Sequence, residues 1–271
     1  MYAKLIKRNL LIYTHDKMGI FFSFLGMFIS LLIYIFFLRN NLIASLSRVE
    51  HVGKFVDTWM VAGLISIVAL TTTLNAFGQE MEDRRNNKLD DFSVNSGLRL
   101  SAIKWIYTLT AIIEGLVSTI IFAVICFGYL SIRYSENAFN GHFWMSILFN
   151  SLLVVFSANF FTLISSCLST MASFSALSAI VGTLAGFLSG TYIVYDALPK
   201  FMQTVLNYWP GYEIAAITRN EMMHGISSGV PNRVLDALGV SSNIGRAMAI
   251  VTIGTIICLV INYILSRTEK K

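Results

Sequence analysis

Residues Met18 to Leu38 read MGIFFSFLGMFISLLIYIFFL, 21 positions without a single charge. At 1.5 Å per residue, about 20 apolar residues in a helix cross a hydrocarbon core of about 30 Å. Lipid offers no hydrogen bonds, so the backbone must satisfy itself, and an unbroken apolar run without strand alternation does so as a helix. The run is too long for a signal-peptide core and lacks a small-residue cleavage site, so it is expected to remain as a span. Five further runs of similar length follow at 58–77, 105–130, 143–168, 173–195 and 245–265. The expected fold is an all-α polytopic membrane protein with six transmembrane helices, forming one domain over 1–271.

Composition agrees. The chain is 55% hydrophobic and only 13% charged, well below the charge fraction of a soluble domain. The net charge of +5 does not indicate nucleic acid, because the basic residues gather at span ends rather than on one face. Twelve of the 20 lie in 1–17, 78–104 and the tail after 265, while eight spread over the longer connections on the other side. Lysine and arginine are retained in the cytoplasm, so both termini are expected there, in a plasma-membrane protein. Cys126, Cys167 and Cys258 fall within apolar runs at spacings that fit no metal site, and read as buried, inert thiols. Trp59, Trp105 and Trp144 start spans, where indole suits the headgroup level.

Residues 1–17 form an imperfect amphipathic pattern. Tyr2, Leu5, Ile6, Ile12 and Tyr13 share one helical face, while Lys4, Lys7 and Arg8 share the other, with Asn9 and Leu11 breaking the regularity. This predicts a helix lying in the headgroup plane, the simpler reading being a basic flank that only sets orientation.

The inner loop 78–104 interleaves five acids and five bases, among them Glu80, Glu82, Asp83, Arg84 and Lys88. Mixed charge at helical spacing, with Leu89 and Phe92 on one side, suits a short helix docking on a protein, though a solvated loop fits too. The outer segment 196–244 holds all three prolines of the chain. Around Pro199, Trp209, Pro210 and Gly211, two apolar pieces too short to span flank a Pro-Gly break. They read as a re-entrant outer helical hairpin between spans five and six with its bend at Pro210-Gly211, or as an amphipathic loop on the membrane. Span five carries Gly182, Gly186 and Gly190, four residues apart, a row that lets a second helix approach closely. Glu114 stands inside span three. An acid in hydrocarbon must face protein or water, as a pathway residue or as a structural acid paired with Asn75, Asn150 or Asn159.

Absences narrow the function. The chain has no phosphate-cradling G-x-x-x-x-G-K-[ST] loop, no H-E-x-x-H and no G-x-S-x-G, and its four histidines are scattered. No catalytic residues and no metal site are expected.

The order of elements resembles the permease subunit of type-2 ABC exporters across essentially the whole chain. It rests on the amino-terminal helix, six spans, the charged inner loop from Glu80 through Arg84 and Lys88, and Leu198-Pro199 followed by Trp209-Pro210 and Arg219. The resemblance implies that 78–104 is a coupling helix seated on a separate ABC ATPase subunit. Two ATPase copies would work with two permeases, the second being another copy of this chain or a close paralogue. ATP and Mg would sit on the ATPase, with no cofactor on this chain, and the hairpin would cap the pathway. Many relatives have a proline before span three, where this chain reads Asn95-Ser96-Gly97, a sequence that still permits a turn. Spans rich in Phe, Met, Ser and Thr favour an amphipathic or hydrophobic substrate such as a drug, antimicrobial peptide or lipid, which would connect the chain to multidrug or antimicrobial resistance. The alternatives are an ion-gradient-driven transporter or small channel relying on Glu114, or a non-transporting membrane immunity protein.

Overall fold

A computed structural model describes residues 2–46, 51–136, 138–227 and 230–268. Thirteen α-helices carry these residues, and no strand occurs among them. Helix α1 (Tyr2–His15) leads into α2 (Lys17–Ile33), which continues through one π turn, Tyr34–Leu38, into α3 (Arg39–Ser45). Then come α4 (Val52–Thr71), α5 (Leu74–Arg85), α6 (Lys88–Ser96), α7 (Leu100–Tyr134), α8 (Gly141–Ser166) and α9 (Met171–Leu188). A 3₁₀ turn at Tyr195–Ala197 precedes α10 (Lys200–Leu206), α11 (Pro210–Met222), α12 (Asn232–Ala237) and α13 (Ile244–Thr268). Six continuous helical stretches are long and apolar enough to cross a membrane, in the order expected.

Local chemistry explains the joints. Asp16 ends α1 and caps α2, its carboxylate accepting from the Gly19 amide at 2.8 Å. The run Thr71-Thr72-Thr73 turns its hydroxyls back onto the carbonyls of Ile67, Val68 and Leu70, which bends a helix. The second apolar stretch therefore does not stop at 77. It bends at the threonines and carries on as α5 to Arg85, placing the first half of the expected inner loop inside the protein.

Helix α4 is the centre of the bundle, buried along most of its length. Helices α7, α8 and α11 pack around it, with α9 and α2 on further sides and α13 against α8 and α11. Helix α2 with the π turn after it, α9 and α13 turn large apolar faces outward, including Phe21, Phe22, Phe36 and Phe37, as lipid-facing or partner-facing surfaces do.

Further details differ from the sequence reading. The fifth span, expected over 173–195, ends as a helix at Leu188. Gly190 follows at φ +61°, a left-handed stop, and the carbonyls of Ser189 and Gly190 go to a distant arginine instead of to the next turn. Gly190 thus leaves the row of Gly182 and Gly186. Cys167, just past the end of α8, is exposed, whereas Cys126 and Cys258 are buried. Trp59 is buried rather than at a headgroup edge, donating to the Leu238 carbonyl at 2.9 Å.

The proline segment is a helical pair, but its bend lies at 207–209. Pro199 sits just before α10, and Pro210 is the first residue of α11, where its missing N–H costs nothing. Gly211 lies in the first turn of α11, where an added Cβ would meet the Trp209 indole nitrogen at 2.6 Å. Trp209 itself meets Phe156 and Phe160 edge-on. Helix α11 is buried almost throughout, wedged among α4, α8 and α13.

Candidate functional site

Two arrangements concentrate the polar chemistry: a charged node where α1, α5, α6 and α7 meet, and a cavity beside it that contains Glu114.

The node is built on Asp83. Near the end of α5, its buried carboxylate accepts from both terminal nitrogens of Arg8, at 2.6 and 3.0 Å, and from the Tyr107 hydroxyl at 2.6 Å. Lys88 approaches at 3.4 Å. A planar guanidinium meeting both oxygens of a carboxylate fixes orientation as well as distance, and this partner holds the Arg8 pKa above its usual range. The same guanidinium lies 4.9 Å over the Phe92 ring of α6. Asn9, which looked like a defect in the pattern of α1, is the residue that enters the protein. It is 1% exposed, accepts from Gln79 at 3.2 Å and donates to Thr110 at 3.5 Å. One turn earlier in α5, Glu80 binds Arg84 at 2.7 Å and accepts from Ser165 at 3.5 Å. Arg84 also donates to the Leu168 carbonyl at 3.0 Å, tying α5 to the end of α8.

The sequence-selected loop residues therefore divide in two. Glu80 and Asp83 are buried and serve internal contacts, with Arg84 and Lys88 as their partners. Leu89 packs with Ile103 and Tyr107 of α7, and Phe92 lies against the same cluster. Glu82 and Arg85 are exposed, as are Asp90, Asp91 and Val94 on the free side of α6, Val94 at 83%. Asn87 turns the chain into α6 with φ +57°, and Gly97 turns it out again with φ +65°, as Asn-Ser-Gly permits. The result is a short helix clamped on one face and bare on the other.

The cavity has a volume of about 620 Å³ and is bounded by α1, α2, α5, α7 and α9. Glu114 lines it from α7, 2% exposed, with Oε2 making no hydrogen bond among the described residues. The three asparagines offered as partners do not satisfy it. Asn150 bonds Ser146 and Thr218, and Asn159 bonds Val155. Asn75 lines the same cavity, but its amide nitrogen also lacks a partner. Gly182 faces open space within this chain, while the Tyr192 ring covers Gly186.

A second buried constellation includes Arg219, quoted above only for the resemblance, and Asp57, which the sequence reading passed over. Arg219 of α11 is fully buried, with Nη2 donating to the carbonyls of Ser189 and Gly190 and to Thr191 Oγ1, at 3.0, 3.0 and 3.1 Å. Nη1 reaches the Gly239 carbonyl at 3.4 Å, and the guanidinium lies 4.8 Å over the Trp59 ring. It holds the irregular backbone after α9 against α4 and α11. Nearby, Asp57 of α4 gathers Tyr34, Arg39 and Tyr134. The signal was a charge immediately before a span, which hydropathy alone assigns to the loop.

No cluster of metal-ligating side chains occurs among the described residues. A bundle with six helices long and apolar enough to cross a membrane among the described residues, and a charged helix clamped on one face, suits the membrane component of a transporter. The family described as ABC-2 type transporter matches residues 2–220, and the chain belongs to that family. No curated protein and no solved structure matches it.

Proposed function

We propose that this chain is the membrane subunit of an ATP-driven exporter whose ATPase is a separate protein, with α6 as the element that receives its motion. The observation carrying the proposal is the two-sidedness of α6. Its bare side offers Asp90, Asp91 and Val94 to a partner, while its other side is clamped to α7 and, through Phe92, Arg8 and Asp83, to α1 and α5. A push on the free face then moves four elements as a unit. The absence of a nucleotide-binding loop in the sequence supports placing ATP and Mg on two ATPase copies.

The second permease, another copy or a paralogue, fits the outward apolar faces of α2 and α9, where Gly182 leaves room for close approach. Both termini and α6 lie in the cytoplasm of a plasma-membrane protein, α1 rests at the inner surface, and the α10–α11 pair is a re-entrant outer cap. The substrate is amphipathic or hydrophobic, in the class of drugs, antimicrobial peptides or lipids, and moves outward. The test is co-purification with the candidate ATPase together with ATP-dependent transport. Replacing Asp90, Asp91 and Val94 by arginine is expected to abolish complex formation while the isolated chain keeps its unfolding midpoint. A complex that survives this change refutes the docking role of α6.

A further inference from the structure

The cavity at Glu114 has a charge pattern that sequence position alone does not reveal. Three acids line it, Asp16, Glu82 and Glu114, and among the described residues no lysine, arginine or histidine does. Asp16 is engaged as the cap of α2, and Glu82 is exposed. Glu114 is different, because it is 2% exposed and its Oε2 has no hydrogen-bond partner among the described residues. Two more buried polar atoms on the same wall are also unpartnered, Asn75 Nδ2 and Ser178 Oγ. Buried polar groups are nearly always satisfied, so three unpartnered atoms on residues that line one cavity leave hydrogen-bonding capacity there for a bound molecule to meet. Tyr13, Phe22, Phe174 and Tyr192 also line it, beside the polar side chains of Ser23, Thr71, Thr72 and Gln79. Rings of this kind attract a cation through their faces. The volume of about 620 Å³ lies in the range of small-molecule sites.

We propose that this cavity binds an amphipathic ammonium compound, its N–H-bearing cation on Glu114 and its apolar body along the aromatic wall. An ionised carboxylate in such surroundings is costly alone and is stabilised by a cation that donates a hydrogen bond to it. The ammonium belongs either to a free lipophilic amine or to the headgroup of an aminolipid. The proposal rests on the export reading in one respect, that the bound molecule is cargo.

The test uses the full chain in dodecyl maltoside, a neutral detergent, with rhodamine 6G, a cationic amphiphilic dye carrying N–H groups, followed by fluorescence anisotropy. Glu114→Gln keeps the shape and removes the charge. It is expected to weaken dye binding by about tenfold or more. In the unaltered chain, dodecylamine is expected to displace the dye, and dodecanol, equal in length but uncharged, is not. Displacement by phosphatidylethanolamine but not by phosphatidylcholine, whose ammonium has no N–H, assigns the site to an aminolipid. Displacement by dodecylamine but by neither lipid assigns it to a free amine. Equal dye affinity in Glu114→Gln, or equal displacement by dodecanol and dodecylamine, overturns the proposal. Neither ATP nor an ATPase is present, so a negative result leaves the export reading standing, and failure of ATP-driven transport leaves a positive binding result standing.

Discussion

Arg219 is a cation that stabilises the fold without a carboxylate partner among the described residues. Its guanidinium collects the carbonyl oxygens released where α9 stops, which an open helix end would otherwise leave buried and unpaired. Arg219→Met fills much of the same volume but donates nothing. It is expected to cost about 1–3 kcal/mol per carbonyl left without a donor, measured as a lowered unfolding midpoint in detergent. Arg219→Lys is expected to recover only part of this, because a point charge cannot span the same set of acceptors. Asp83 makes a different kind of claim. Asp83→Asn keeps the shape but loses the charge that Arg8 and Lys88 meet. It is expected to destabilise the chain by about 1–3 kcal/mol and to depress ATP-dependent transport more than ATPase binding. Loss of binding with coupling retained in the surviving complex would contradict the assigned role.

At the scale of elements, Gly97 isolates backbone strain from packing. It sits at φ +65°, and an added Cβ would meet nothing within 4 Å. Gly97→Ala is therefore expected to cost about 1–2 kcal/mol through left-handed strain alone, visible in thermal unfolding, and to loosen the exit of α6. Asn95-Ser96-Gly97 was read as permitting a turn, and the turn falls at Gly97, after Asn95 and Ser96 have completed α6. The six spans were legible, since apolar length is what a bilayer demands. The bend at Thr71-Thr72-Thr73 was not legible, because threonine sits comfortably in a span and its back-bonding shows only in the fold. Hydropathy falls after 77, so α5 read as loop, although its charges are buried by pairing rather than by lipid. The early end of α9 was hidden as well. Thr191-Tyr192-Ile193-Val194 continues the apolar run, and only the distant Arg219 reveals that the helix has stopped. Asn9 was visible but misread, since a polar residue on an apolar face is an anchor once a partner such as Gln79 lies opposite.

At the scale of the molecule, a buried central α4 with peripheral α2, α9 and α13 leaves broad apolar outer faces, which the proposed function assigns to lipid and a second permease. In a variant free of native cysteines, one cysteine placed at Gly182 is expected to form a disulfide-linked dimer under mild oxidation. A cysteine at Val94 is expected to react with a membrane-impermeant thiol reagent only in inside-out vesicles. Labelling at 94 from the outside would reverse the orientation on which the role of α6 depends. The most direct test of the central claim joins these parts. The purified chain is reconstituted with and without its ATPase, and uptake of a cationic amphiphilic dye is followed with ATP, or with a proton gradient and no ATP. The account predicts uptake only where the ATPase and ATP are both present, lost when α6 carries arginine at 90, 91 and 94. Uptake driven by the gradient alone, or by ATP with that α6 variant, would contradict it.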